Sequence, residues 1–229
     1  MKHLIYILTI LATASCSGFS NHTSESTTEA VQTETEAPGD ISEKQEAVED
    51  TFYTSDLAVF DLHGHVRTLS LSNEDFKNII EFDRDGNLVK FTVKNGPSTD
   101  VWKQGAKQDP EGIVVERDKN GRIKYTSYRF WTTQYTYDST GRFITAEHSG
   151  EGGQENTTKY TRDANNQVTT MHITDSYIDD DPDVPVVEKS VVSISNVKLD
   201  EQGNWVSRTE TIKGKNSSSK ASRTITYWE

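Results

Sequence analysis

The chain has 229 residues, a formal net charge of −12 and only 32% hydrophobic residues. With that acidic balance and scattered basic residues, it lacks the positive stripe that neutralises phosphates, which excludes nucleic acid as a partner. Its one cysteine excludes an intramolecular disulfide.

At the N-terminus Lys2 and His3 precede an apolar run over 4–11, and small residues then lead to Cys16. This pattern predicts a secretory signal peptide over 1–15, too short to serve as a lasting membrane span. A cysteine immediately after small residues resembles the lipidation site of bacterial lipoproteins, although Thr13 stands where that family prefers leucine or another aliphatic residue. The resemblance implies that Cys16 becomes the acylated first residue and that the mature chain is held to a membrane of the cell envelope, the outer membrane in such bacteria, through its N-terminal lipid. An ordinary signal peptide with an incidental cysteine is the alternative.

Residues 16–50 read as a linker. From Ser17 onward Ser, Thr, Glu, Gln, Asn and Pro dominate, and nine acidic residues face Lys44 alone. Such a segment cannot bury enough apolar surface to offset its conformational entropy, so a disordered tether is expected. Acidity that keeps a linker extended is a simpler reading than an acidic recognition tail.

Residues 51–229 are long enough for one domain, and a short pattern punctuates them. An acidic residue is followed three positions later by glycine or asparagine, and two after that by an apolar residue. The copies run from Asp61 to Gly64, Asp83 to Gly86, Asp118 to Gly121, Asp138 to Gly141, Asp163 to Asn166 and Asp200 to Gly203, and Asp109 to Gly112 fits the same template. Asp suits the first position of a type I turn, where its carboxylate accepts from local N–H groups, and Gly three later supplies the positive φ that turns the strand back. Apolar and polar residues alternate around these turns, as in Leu88, Lys90 and Thr92 against Val89, Phe91 and Val93. The fold expected is all-β: an antiparallel meander of repeated hairpins, about 10 to 14 strands in an extended or curved sheet. One helical interruption is expected over 73–80, with Asn73 as cap and Phe76, Ile79 and Ile80 on one face.

At Tyr135, Tyr137, Asp138, Gly141, Arg142 and Phe143 the pattern resembles the YD repeat of the RHS family, and the copies starting at Phe82 and Leu199 resemble the divergent form in lipoproteins of Bacteroidota. This resemblance implies a hairpin-repeat architecture and an envelope setting. It implies no activity, because the chain has too few repeats for the toxin-enclosing shell of the large RHS proteins.

Candidate chemistry is sparse, and no cofactor is expected. His63 and His65 flank Gly64 near Asp61, and imidazole with carboxylate suits zinc, yet no third ligand is evident, so turn residues are the simpler reading. Asp179, Asp180, Asp181 and Asp183 lack the glycine and distal glutamate of a calcium loop and read as a solvated connection. Trp102 and Trp131 are the candidate ligand-binding aromatics, with packing in half-buried strands as the competing role. The function expected is non-enzymatic: binding an unidentified envelope protein or scaffolding the envelope. The alternative is a carbohydrate-binding module that meets a glycan through exposed aromatic faces.

Overall fold

The computed structural model describes residues 52–229 except 73–75, 108, 110–111, 151–152, 164–166, 179–184 and 216–217. The signal peptide, Cys16 and the acidic linker therefore lie outside the described residues, as do Asn166 and the run 179–183. A five-residue helix, α1 (Ser55–Val59), opens the domain, and Thr54 caps it by accepting from Leu57 N at 3.2 Å. Thirteen strands follow: β1 (Val66–Ser72), β2 (Phe76–Phe82), β3 (Leu88–Asn95), β4 (Ser98–Lys103), β5 (Ile113–Arg117), β6 (Ile123–Tyr128), β7 (Trp131–Tyr137), β8 (Phe143–Ser149), β9 (Glu155–Arg162), β10 (Val168–Tyr177), β11 (Val186–Leu199), β12 (Trp205–Ile212) and β13 (Ser218–Tyr227).

All thirteen strands form one antiparallel sheet in the order β4-β3-β2-β1-β13-β12-β11-β10-β9-β8-β7-β6-β5. The meander is thus broken once, between β4 and β5, and the first strand pairs with the last. β13 makes that join: residues 218–222 pair with β12 and residues 223–227 with β1. The sheet curls until its two edge strands approach, giving a nearly closed barrel.

Four of the predicted hairpins are built alike. Asp83, Asp118, Asp138 and Asp200 each accept from two backbone N–H groups through Oδ1, at positions two and four residues on, over 2.8–3.0 Å. Gly86, Gly121, Gly141 and Gly203 follow with φ between +75° and +84°, and in each hairpin the ladder shifts register beside the turn. That is a type I turn closed by a glycine bulge. Asp163 makes the same four-residue bond to Gln167 N at 2.9 Å. All five turns lie at one end of the barrel, and α1 packs into that end.

Two expectations change. The first copy of the pattern joins helix to strand: Gly64 has φ +81°, but its N–H donates to Phe52 O at 2.7 Å, and Asp61 itself sits at φ +54°. The continuous apolar run Leu57, Ala58, Val59 and Phe60 before it is fully buried, which an outer hairpin strand would not allow. The helix expected over 73–80 is also replaced, because Phe76–Phe82 is strand. Ile80 and Phe82 are buried at period two, and β1 and β3 supply backbone partners on both sides. Pairing on both flanks of a segment rich in β-branched and aromatic residues outweighs a weak helical face.

The main core gathers Leu57, Phe60, Leu69, Phe82, Phe91, Trp102, Ile123, Tyr128 and Tyr135 around α1, and a smaller one holds Val168, Met171, Ile173 and Val192. Gly121→Ala is expected to cost about 1 kcal/mol through its positive φ alone, since a Cβ there would meet nothing within 4 Å. Gly86→Ala should cost more, because its Cβ would lie 2.8 Å from Thr54 Cγ2 and 2.9 Å from Phe52 Cε1. Thermal unfolding should show a Tm drop of roughly 2–4 °C for the first and a clearly larger one for the second. Equal drops would mean that the N-terminal segment does not press on that turn.

Candidate functional site

The polar groups inside the barrel fall into two zones. The first surrounds the N-terminal segment over 52–65. Asp56, 2% exposed, accepts from both Arg117 guanidinium nitrogens at 2.7 Å and from Leu88 N at 2.7 Å. The Asp56 hydrogen bond raises the Arg117 pKa above its ordinary value. Thr54 donates to Gly86 O, and Asn204 accepts from His63 N and donates to His63 O and Tyr227 Oη. Asp61 accepts from Arg162 and from Trp205 Nε1. Burial alone would push the Asp61 carboxyl up, but Arg162 and Arg223 outweigh it and hold the group below the usual carboxylate range.

Arg223 anchors this zone. Its guanidinium donates to Trp205 O, Phe60 O and Asp61 O at 2.6–2.9 Å, so it satisfies carbonyls that a five-residue helix and its exit would leave unpaired. It also lies 3.9 Å from the Trp205 ring, with Arg208 at 4.2 Å from the same ring. Arg208 pairs with buried Glu210 at 2.8 Å, two residues on along the same strand face. Asp56, Asp61 and Arg223 thus hold the segment in place, while Arg208 and Glu210 pair beside Trp205.

The second zone lines the inner face away from α1. Thr133, His148, Asn156 and Asp175 are successive cross-strand partners on β7, β8, β9 and β10. Thr133 Oγ1 bonds His148 Nδ1 at 2.8 Å, Thr158 donates to Asn156 Oδ1, and Asn156 donates to Asp175 Oδ1 at 2.5 Å. His148 Nε2 is buried without a partner among the described residues, and burial pushes the ring's pKa down to about 4, so it is neutral at physiological pH.

Among the described residues the aromatic platform of the carbohydrate alternative is not formed. Trp102 is 6% exposed and belongs to the main core, which overturns its assignment as a ligand-binding surface. Its position on the inward face of β4, opposite Phe91, gives the reason. Trp131 is half-buried, and its ring lies across Gly150, where a Cβ would fall 1.9 Å from Cζ3. Arg67 and Arg84 each lie over the Trp228 ring, 5.0 Å from its centroid. His65 stacks on Phe52 with ring centroids 4.2 Å apart. Among the described residues no group of three His, Cys, Asp or Glu side chains is placed to hold a metal ion.

Exposed apolar side chains occur at both ends of the barrel: Tyr53, Ile144 and Leu199 at the α1 end, and three others at the opposite end. Phe130, in the two-residue β6–β7 turn, is 67% exposed, and Ile178 and Val187 beside the β10–β11 connection are 46% and 55% exposed. Between them the β8–β9 connection carries Gly150 under Trp131 and Gly153 against Ile178. Sequence reasoning missed this rim because each residue is isolated in the chain. No protein-family model matches the chain, and no curated protein matches it in sequence.

Acid should destabilise the domain through both zones. His148 has a depressed folded pKa, so the unfolded chain takes up the proton first and stability falls as pH drops from about 6.5 toward 4. Asp61, depressed below its ordinary value, contributes stability above about pH 4 that is lost below it. His148→Gln should therefore flatten the stability profile between pH 6.5 and 4 and leave the steeper loss below. Asp61→Asn should cost about 3 kcal/mol or more at pH 7, as removing one partner of a buried pair does. Denaturant titrations across that pH range check both, and a wild-type profile flat from pH 6.5 to 4 would contradict the assignment to His148.

Proposed function

We propose that this protein is a lipid-anchored module of the cell envelope, related to the YD-repeat lipoproteins, that acts by binding another protein through the rim opposite α1. The observation that supports binding is the exposure of Phe130, Ile178 and Val187 on that rim, with Trp131 and Ile178 against the β8–β9 connection that lies between. Aromatic and aliphatic side chains exposed on one edge are the kind that the desolvated centre of a protein interface uses. Cys16, acylated, would hold the chain to the outer membrane, and residues 17–50 would give the barrel an r.m.s. reach of roughly 30 Å.

The carbohydrate reading fits less well. Trp102 is in the core and Trp205 and Trp228 are covered by arginines, which leaves no pair of open indole faces among the described residues. No catalytic residue is assigned.

Two measurements test the proposal. Cys16→Ser should move the protein from the membrane to the soluble envelope fraction, and unchanged detergent partitioning would remove the lipid anchor. A photo-crosslinking amino acid at Phe130 should give an adduct of one defined mass in envelope preparations, and the same probe at exposed Lys119, in a turn at the α1 end, should not. Identical products from both positions would remove the rim as the binding surface.

A further inference from the structure

An odd number of antiparallel strands cannot close on itself with an antiparallel ladder. With thirteen strands in strict alternation, the two edge strands β4 and β5 run the same way, both toward the end that holds α1. Cα atoms of the two strands come within 8 Å, too close to admit another strand, since strands on either side of an inserted one lie about 9.5 Å apart. Yet among the described residues no backbone ladder joins them, although every other neighbouring pair in the sheet has one.

Side chains close the gap instead, and they converge on one carboxylate. Tyr128 donates to Asp100 Oδ2 at 2.6 Å from β6, across β5, and Arg129 reaches the same oxygen at 3.6 Å. Arg129 is also held at φ +55°, the left-handed region that hairpins of this length fill with glycine, and from there its guanidinium lies 5.1 Å from the Tyr128 ring centroid. Two residues from Asp100 along β4, on the same face, is Trp102, its indole N–H buried without an acceptor among the described residues.

We propose that the barrel opens reversibly along the β4–β5 seam and that Asp100 is the latch that keeps it shut. Three features support this: a missing ladder, a strained cationic residue aimed at the latch, and an unsatisfied donor two residues along β4 from it. Opening frees the two short edges and gives Trp102 Nε1 access to an acceptor while the rest of the sheet, zipped by continuous ladders and fixed at the α1 end by Arg223, stays intact. The proposal stands independently of the rim and of the lipid anchor.

Amide hydrogen exchange on the full chain tests it. In the wild type, amides of β4 and β5 that face the seam should exchange at least tenfold faster than those of β12 and β13. Asp100→Ala should raise exchange in β4, β5 and β6 by a further tenfold or so and leave β10–β13 unchanged, and acrylamide quenching of a variant retaining only Trp102 should increase in parallel. Arg129→Gly separates latch from strain. If Arg129 helps hold the seam, the glycine variant exchanges faster there; if its left-handed backbone is only a local cost, exchange slows. Seam amides as protected as those of β12, or an Asp100→Ala effect spread evenly over the barrel, would overturn the proposal. So would slower exchange in Arg129→Gly.

Discussion

The structure depends on filling a barrel too wide for its own side chains. About eight strands enclose a space that inward side chains can fill, and thirteen enclose more, so the residues before β1 must enter. They do so as Leu57, Ala58, Val59, Phe60 and Leu62, all buried. An entering backbone brings polar groups with it, and burying these unpaired would cost about 1–3 kcal/mol each. Arg223 takes the carbonyls of Phe60 and Asp61, Asn204 takes both backbone groups of His63, and Asp56 takes Leu88 N. The buried charges follow from that requirement. Arg223 needs Asp61 as a counter-charge, and Asp61 in turn takes hydrogen bonds from Arg162 and Trp205.

This division of labour separates the two ends. Where α1 sits, five similar turns and a set of ion pairs define one conformation, and every acid invoked in the turns or the segment accepts hydrogen bonds. Thr140 and local N–H groups, for example, hold Asp138 below the ordinary carboxylate range. At the other end the loops differ in length and sequence, apolar side chains are exposed, and the polar row through His148 lies just inside. Function carried by variable loops on a rigid scaffold is the usual arrangement, and it places interaction at the rim rather than among the repeated motifs.

What was legible in the sequence is what is local. The type I turn with its glycine bulge needs only five consecutive residues, so Asp83, Asp118, Asp138 and Asp200 announced their roles. The same spacing at Asp61 misled, because the turn chemistry is identical up to the point where the flanking segment enters the core. The five residues of α1 are too few to show a helical period, whereas Phe76, Ile79 and Ile80 offered a false one. Nothing local links Arg223 to Asp61, 162 residues away, or Asp100 to Tyr128. The inward position of Arg223 could have been inferred only from its alternation with Ala221, Ile225 and Tyr227, which reads as a mistake in an apolar face until the partner is known.

The seam also bears on how such chains can lengthen. Duplicating one hairpin repeat adds two strands, so a barrel that began with an odd count remains odd however many repeats are gained or lost. Its two borders then always point the same way. Growth by hairpins can widen this architecture, shift its stagger and demand a larger plug, but cannot heal the break. Only the gain or loss of a single strand could do that, and the segment that links β4 to β5 is where one added strand would close the ladder without moving either chain terminus.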